Sequence, residues 1–304
     1  MRNEVTKQSY MEESQNIEIQ ALIRLLDDPD SVVFNTVSSN LQEKGIEVIP
    51  ELEKAWETTL NEKIQSRLEN IIQRIQTGYV KDKLGEWVSG EKPDLLEGSY
   101  YVAKSKYPEL KFVEIEKKIE NIRKDVWLEI NENLTALEKV KVLNHIFFKV
   151  HKFGQTRPNL NDPQSNFLNI VLETGKGNPV SLGILYSVIA QKLGMPVLGV
   201  NIPRNFILAY MDEYKQPETF DEKTEQHILF YINTFNLGAV LGRREIDYFI
   251  KQHQLKSKKN FYIPCSNVEI IRRLILNLVF AYDQSGNKAK ANRYRELLEV
   301  VREE

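Results

Sequence analysis

The sequence predicts an α+β protein, a mixed helix-and-strand core with helical modules on either side. Three observations lead there. Apolar residues recur at helical spacing from Ile17 to Ile75. Near mid-chain, the segment between Asn178 and Gly194 is apolar around most of its circumference, the mark of a buried helix. Directly after it come VLGVNI, FILAY and HILFYINTF, three runs rich in β-branched and aromatic residues, parted by turn-forming or polar segments. One helix followed by strands that fold back on each other is the order of α+β rather than of alternating α/β units.

Residues 1–16 are polar and read as a disordered lead-in. The next module, 17–78, is helical. Leu22, Leu25 and Leu26 form a stripe that Val33, Val37 and Leu41 repeat, and Asp30 and Ser31 offer capping groups at the DPDS junction between them. Gly45 breaks the pattern, a third helix follows, and Ile64, Leu68, Ile71, Ile72 and Ile75 mark another amphipathic segment. Apolar helix, acidic DPD turn, second helix and glycine break together resemble a HEAT-type repeat, a unit whose stacks build binding surfaces. A plain helical bundle fits the same pattern.

The core is expected over 79–262. Its first part reads as largely helical, up to the periodic stretch Leu137–Val150 and a short helix over Ser165–Glu173. Asn178 suits a helix N-cap, Pro179 the first helical position and Gly194 the C-terminal cap, with Pro196 blocking continuation. The final module, 263–304, reads as two helices around Gly286. Its Ala281, Tyr282, Ala289, Ala291 and Tyr294 resemble a single tetratricopeptide-type unit, too little for a peptide groove, so a cap on the core is the simpler role.

Composition excludes several classes. A net charge of −2 provides no basic face for nucleic acid, and the run Lys256–Lys259 reads as a solvated loop. One cysteine, Cys265, permits neither an intramolecular disulfide nor a cysteine-rich zinc site. His145, His151, His227 and His253 lack metal-ligand spacing, and no phosphate-binding glycine loop is present, so no metal and no cofactor are expected. The absence of a secretory signal and of an apolar run long enough to span a bilayer makes a cytoplasmic protein the expectation.

The ordered set FLNIVLE, GNPVSLGILY, AQKLGMPVLGVNIP, NFILAY and FYINTFNLGAVLGRREI resembles the transglutaminase-like superfamily, in the branch typified by bacterial SirB proteins. The resemblance implies a papain/transglutaminase-like core, a buried helix packed on antiparallel strands. Active members place a cysteine at the start of that helix, a histidine base on the following strand and an orienting aspartate on the next. Carried over by motif, the cysteine position falls on Pro179, or on Ser181 if the register slips by two; the SirB branch itself usually lacks the cysteine. Where that branch commonly has His-Phe, this chain has Asn205-Phe206, and where it has Asp-Pro-Phe-Asn, this chain has Asn233-Thr234-Phe235-Asn236. An amide has no usable pKa near neutrality, so Asn205 cannot act as a general base.

The expectation is therefore a non-catalytic protein of this fold that works by binding. A vestigial cleft with Asn178, Ser181, Asn205, Tyr231 and Asn233 as ligand-binding candidates would take a peptide or small molecule, and the helical modules would offer a protein-binding surface. Two alternatives stay open. Catalysis of hydrolase or amide-transferase type could have moved to Ser181, His227 or an unrecognised carboxylate, or the chain could be a scaffold acting through its helical repeats, its cleft plugged by its own side chains.

Overall fold

The computed structural model describes residues 17–156, 162–213, 220–221 and 223–302, so the expected lead-in of 1–16 lies outside the described residues. The chain divides into two compact units, one ending at Asp82 and the other beginning at Lys83. Among the described residues no helix is long and apolar enough to cross a membrane.

The first unit is helical: α1 (17–25), α2 (Ser31–Glu43), α3 (Ile49–Thr58) and the first part of the 27-residue α4 (Glu62–Val88). Asp30 caps α2 by accepting a hydrogen bond from the Val32 amide at 2.8 Å. Leu26, Leu41, Leu52, Leu68 and Ile71 form its core. Arg67 closes the α1–α2 junction, donating to the carbonyls of Leu26 and Asp28 while its guanidinium lies 4.3 Å from the Phe34 ring centre. Leu25 does not join the apolar stripe; it is 46% exposed, and Leu22 and Ile23 pack beside Leu26 instead. The amphipathic segment read as ending near Ile75 continues, because Val80, Leu84 and Trp87 prolong the buried face through α4. The break between the two units thus falls inside a helix.

The second unit carries α5 (Leu95–Lys104), α6 (Phe112–Trp127), α7 (Ala136–Asn144) and α8 (Leu168–Thr174) around the central α9 (Pro179–Lys192). Every α9 residue from Val180 to Ala190 is buried. Gly194 ends it at φ +74°, with the Met195 amide bonded to the Ala190 carbonyl and the Gly194 amide to that of Gln191. That is the paired pattern of a Schellman cap, which glycine adopts without penalty.

A short parallel pair, β1 (Gly154–Gln155) with β2 (Lys176–Gly177), leads into α9. The main sheet is antiparallel, in the order β3 (Val197–Ile202), β4 (Asn205–Met211), β5 (Ile228–Asn233), β6 (Ala239–Leu241). The architecture is α+β. Its first three strands match the runs picked out by composition. The three-residue β6 and two-residue β1 and β2 are too short to leave a periodicity signal.

Helix α10 (Arg243–Gln252) covers one face of the sheet, where Ile246 and Ile250 cluster with Val200, Ile207 and Tyr231. The chain ends in a helical hairpin, α11 (Asn267–Gln284) and α12 (Lys288–Val300), which belongs to the same compact unit as the sheet. Tyr282 and Tyr294 stack across it with ring centres 5.4 Å apart, and Gly286 takes the left-handed turn at φ +75°. The Tyr294 hydroxyl lies 3.0 Å from that of Ser105 on α5, tying the hairpin back to the helical layer.

Candidate functional site

Three chain reversals meet at one end of the sheet: the start of α9, the β3–β4 turn and the end of β5. Between them and α11 lies an open cleft of about 500 Å³.

The start of α9 is built from a reciprocal pair. The Asn178 Oδ1 accepts from the amides of Val180 and Ser181 at 2.9 and 3.0 Å, and Ser181 Oγ accepts from the Asn178 amide at 3.0 Å. Asn178 Nδ2 donates to Asn166 Oδ1 at 2.7 Å, and the Ser181 hydroxyl donates to the Ser165 carbonyl at 2.6 Å. Both side chains are buried and fully engaged. Asn178 and Pro179 border the cleft, whereas Ser181 does not line it and spends its hydroxyl on the cap.

Asn205 opens β4, half-buried, its Oδ1 accepting from the Phe206 amide at 2.9 Å. Asn233 closes β5, with Oδ1 accepting from the Asn236 amide at 3.2 Å so that the chain turns sharply. The following residues, Leu237 and Gly238, are left-handed at φ +52° and +74°. That turn is pinned from outside the sheet. Tyr186 donates to Asn144 Oδ1 at 2.9 Å, Asn144 Nδ2 donates to the Gly238 carbonyl at 2.9 Å, and Gln155 Nε2 donates to the Phe235 carbonyl. A Cβ on residue 238 would stand 2.0 Å from Asn144 Oδ1, so only glycine fits. Asn205, Asn233 and Phe235 all face the cleft.

Tyr231 does not. Alternation along β5 puts it on the same side as Asn233, but α10 and Tyr262 cover that face before the strand reaches the cleft. Its hydroxyl donates to the Tyr262 carbonyl at 2.7 Å, and burial raises its pKa well above the ordinary tyrosine value. His227 stands just before the far end of β5 from Asn233, about 20 Å away along the strand. Cys265 is half-buried against β3, its thiol donating to the Gly199 carbonyl at 3.3 Å, and it does not line the cleft.

The remaining wall went unread in the sequence. Arg273, Asn277, Phe280 and Ala281 of α11 face the cleft, with Arg204 at the β3–β4 turn, Asn166, and Phe249 of α10. The spacing i, i+4, i+7, i+8 is one helical stripe, and Arg273 and Asn277 among the apolar residues from Ile270 to Ala281 were the available signal. Arg273 Nη1 donates to Asn201 Oδ1 at 2.9 Å, and burial lowers its pKa from the usual guanidinium value, with the Cys265 sulfur pulling weakly the other way.

Among the described residues, no cysteine, histidine, aspartate or glutamate lines the cleft. The amides there can donate and accept hydrogen bonds and the guanidinium groups can only donate them, but none can serve as nucleophile or base near neutral pH. Among the described residues, no cluster of three His, Cys, Asp or Glu side chains could hold a metal ion.

Comparison with known proteins agrees with this architecture. The UPF0162 protein of Xylella fastidiosa strain 9a5c is 26% identical over 212 residues, 68% of this chain and 71% of the relative. UPF0162 protein YchA of Escherichia coli is 27% identical over 173 residues, covering 56% and 60%. Human F-box only protein 21 is 27% identical over 146 residues, 47% of this chain but only 22% of the larger protein, so the match spans about a fifth of that relative. No solved structure matches the chain significantly. The model of the transglutaminase-like superfamily matches residues 113–276, from α6 through α9 and the whole main sheet into α11. That span is more than half of the sequence and includes the cleft's α9, β4 and β5 walls; the chain belongs to the transglutaminase-like superfamily.

Proposed function

We propose that this chain is a non-catalytic member of its superfamily, of the branch typified by SirB proteins, and that it acts in a regulatory capacity by binding a ligand or protein segment in the cleft. One observation carries the reading: Pro179, Asn205 and Asn233, the positions matched by motif to the family's cysteine, histidine and aspartate, line a single open cleft and bring neither nucleophile nor base. The openness supports binding over a plugged scaffold. In a relocated active site, Ser181 would have to give up its bond to the Ser165 carbonyl, and His227 would have to act from the far end of β5. In this reading the HEAT-like helices of 17–78 provide a protein-binding surface, and the tetratricopeptide-like hairpin of 263–304 doubles as a wall of the cleft.

The test is a thermal-shift screen of peptides, amines and metabolites against the wild type and the double variant Asn205→His/Asn233→Asp. Ligand bound to the native state alone stabilises it in proportion to its occupancy, so a genuine ligand raises the wild-type Tm by a few degrees. The expected outcome is such a shift, reduced in the double variant. Turnover of a peptide or amine substrate by the wild type, abolished by Ser181→Ala or His227→Ala, would replace this reading with a relocated enzyme.

A further inference from the structure

We infer that the cleft is an oxyanion site, taking a carboxylate or phosphate ester joined to an apolar body of about aromatic size. The inference rests on the binding reading above and names the chemistry of its ligand.

The argument begins with Arg204. Residues Ile202 and Asn205 pair as the last rung of β3 and β4, leaving Pro203-Arg204 as a two-residue turn. Proline fixes a negative φ at the first position, and Arg204 sits at φ +65° at the second. That combination is a type II turn, whose second position suits glycine or asparagine. A long cationic side chain occupies it instead. Among the described residues, Arg204 makes no hydrogen bond or ion pair, and it faces the cleft.

Helix α11 presents Arg273 to the same cleft. Among the described residues its guanidinium has one hydrogen bond, to Asn201, and no carboxylate partner. A guanidinium that is half-buried normally finds an acid, and its planar fork suits carboxylate or phosphate. Two arginines therefore line a cleft with no acidic side chain among the described residues, in a chain whose net charge is −2. The amides at the start of α9 add nothing to this charge, since Asn178 already occupies them. Phe235, Phe249 and Phe280 supply the apolar part of the wall, and Phe280 is 53% exposed. A volume of about 500 Å³ lies within the range of small-ligand sites.

The experiment follows the arginine Nε–Hε resonances of the full-length protein by NMR during titration with three probes. These are phenyl phosphate, N-acetylphenylalanine and the neutral N-acetylphenylalaninamide. The expected result is saturable shifts of Arg204 and Arg273 with one or both anions and none with the amide. Loss of a charge-assisted hydrogen bond weakens binding by about tenfold or more, so Arg273→Met and Arg204→Gly should each weaken the anion to that extent. Glycine suits the turn, so Arg204→Gly should hold or raise Tm while losing ligand, a pairing that a merely structural role would not produce. Which anion binds separates a carboxylate source from a phosphate source, and either supports the inference. Equal binding of acid and amide would overturn the anion assignment and leave the binding reading standing. Unchanged affinity in both arginine variants, or no shift with any probe, would also overturn it, and the neutral ligands of the thermal screen would then judge the binding reading separately.

Discussion

Asn178 is an amide at a point where a helix start would otherwise attract charge. By filling the first free donors of α9 itself, it lets an entirely buried helix begin beside an open cleft without an anion to stabilise its end. Glu213, just beyond β4, shows a charge handled differently. Lys139 Nζ and the Tyr210 hydroxyl both donate to its Oε1 at 2.9 Å, and the Lys139 bond holds the carboxyl below the ordinary glutamate range. A depressed folded-state pKa contributes stability above the unfolded value of about 4.3, and the contribution is lost as pH falls through the folded value. The Glu213 side chain is 36% exposed, so solvent screening keeps the contribution to about 0.5 kcal/mol. Glu213→Gln should therefore be less stable than wild type by about that amount at pH 7, with the gap closing as pH falls below the ordinary glutamate range, as read from urea midpoints at each pH. A gap that persisted in acid would assign the role of Glu213 to packing instead of charge.

At the scale of elements, the seam between α9 and the sheet depends on one aromatic ring. Phe206 is buried between Gly183 of α9 and Gly199 of β3, and a Cβ on either glycine would approach its ring to 2.6 Å. Alanine would gain about 1 kcal/mol of helix propensity at position 183, but overpacking against a fixed ring costs about 1–3 kcal/mol. Gly183→Ala should destabilise by about 1–2 kcal/mol, and adding Phe206→Leu should return part of the loss, giving a coupling that a double-mutant cycle in guanidinium would measure. Seams of this kind mark the limit of legibility. Asn178, Pro179 and Gly194 could be placed from sequence because capping chemistry is local, and β3 to β5 because their composition and turns are local too. Leu25 and Tyr231 could not: Leu25 is left exposed because Leu22 and Ile23 pack beside Leu26, and the face of Tyr231 is covered by α10 and Tyr262 from later in the chain. Arg273 and Asn277 were missed for the same reason: α11 meets the α9 end only after about ninety residues of intervening fold. Three of the five proposed ligand residues, Asn178, Asn205 and Asn233, border the cleft because motif spacing located the chain reversals that surround it.

At the scale of the molecule, the two compact units keep separate cores although α4 runs unbroken from one into the other. The first is built on Leu26, Leu41, Leu52 and Leu68. In the second, α9 and the sheet bury residues such as Leu185, Val200 and Leu208. A helix without side-chain packing is marginal in water, so each half of α4 draws its stability from the unit it packs on. Cooperativity should then change along that helix near Asp82 instead of at its ends. Leu41→Ala removes a fully buried side chain from α2, a change that costs about 2–5 kcal/mol. Hydrogen exchange should show this loss in α2, α3 and α4 up to about Asp82, while amides in α9 and β3 to β5 keep wild-type protection. A uniform fall in protection across both units would mean that α4 couples them into one cooperative fold, and ligand binding in the cleft would then be felt throughout the helical flank as well.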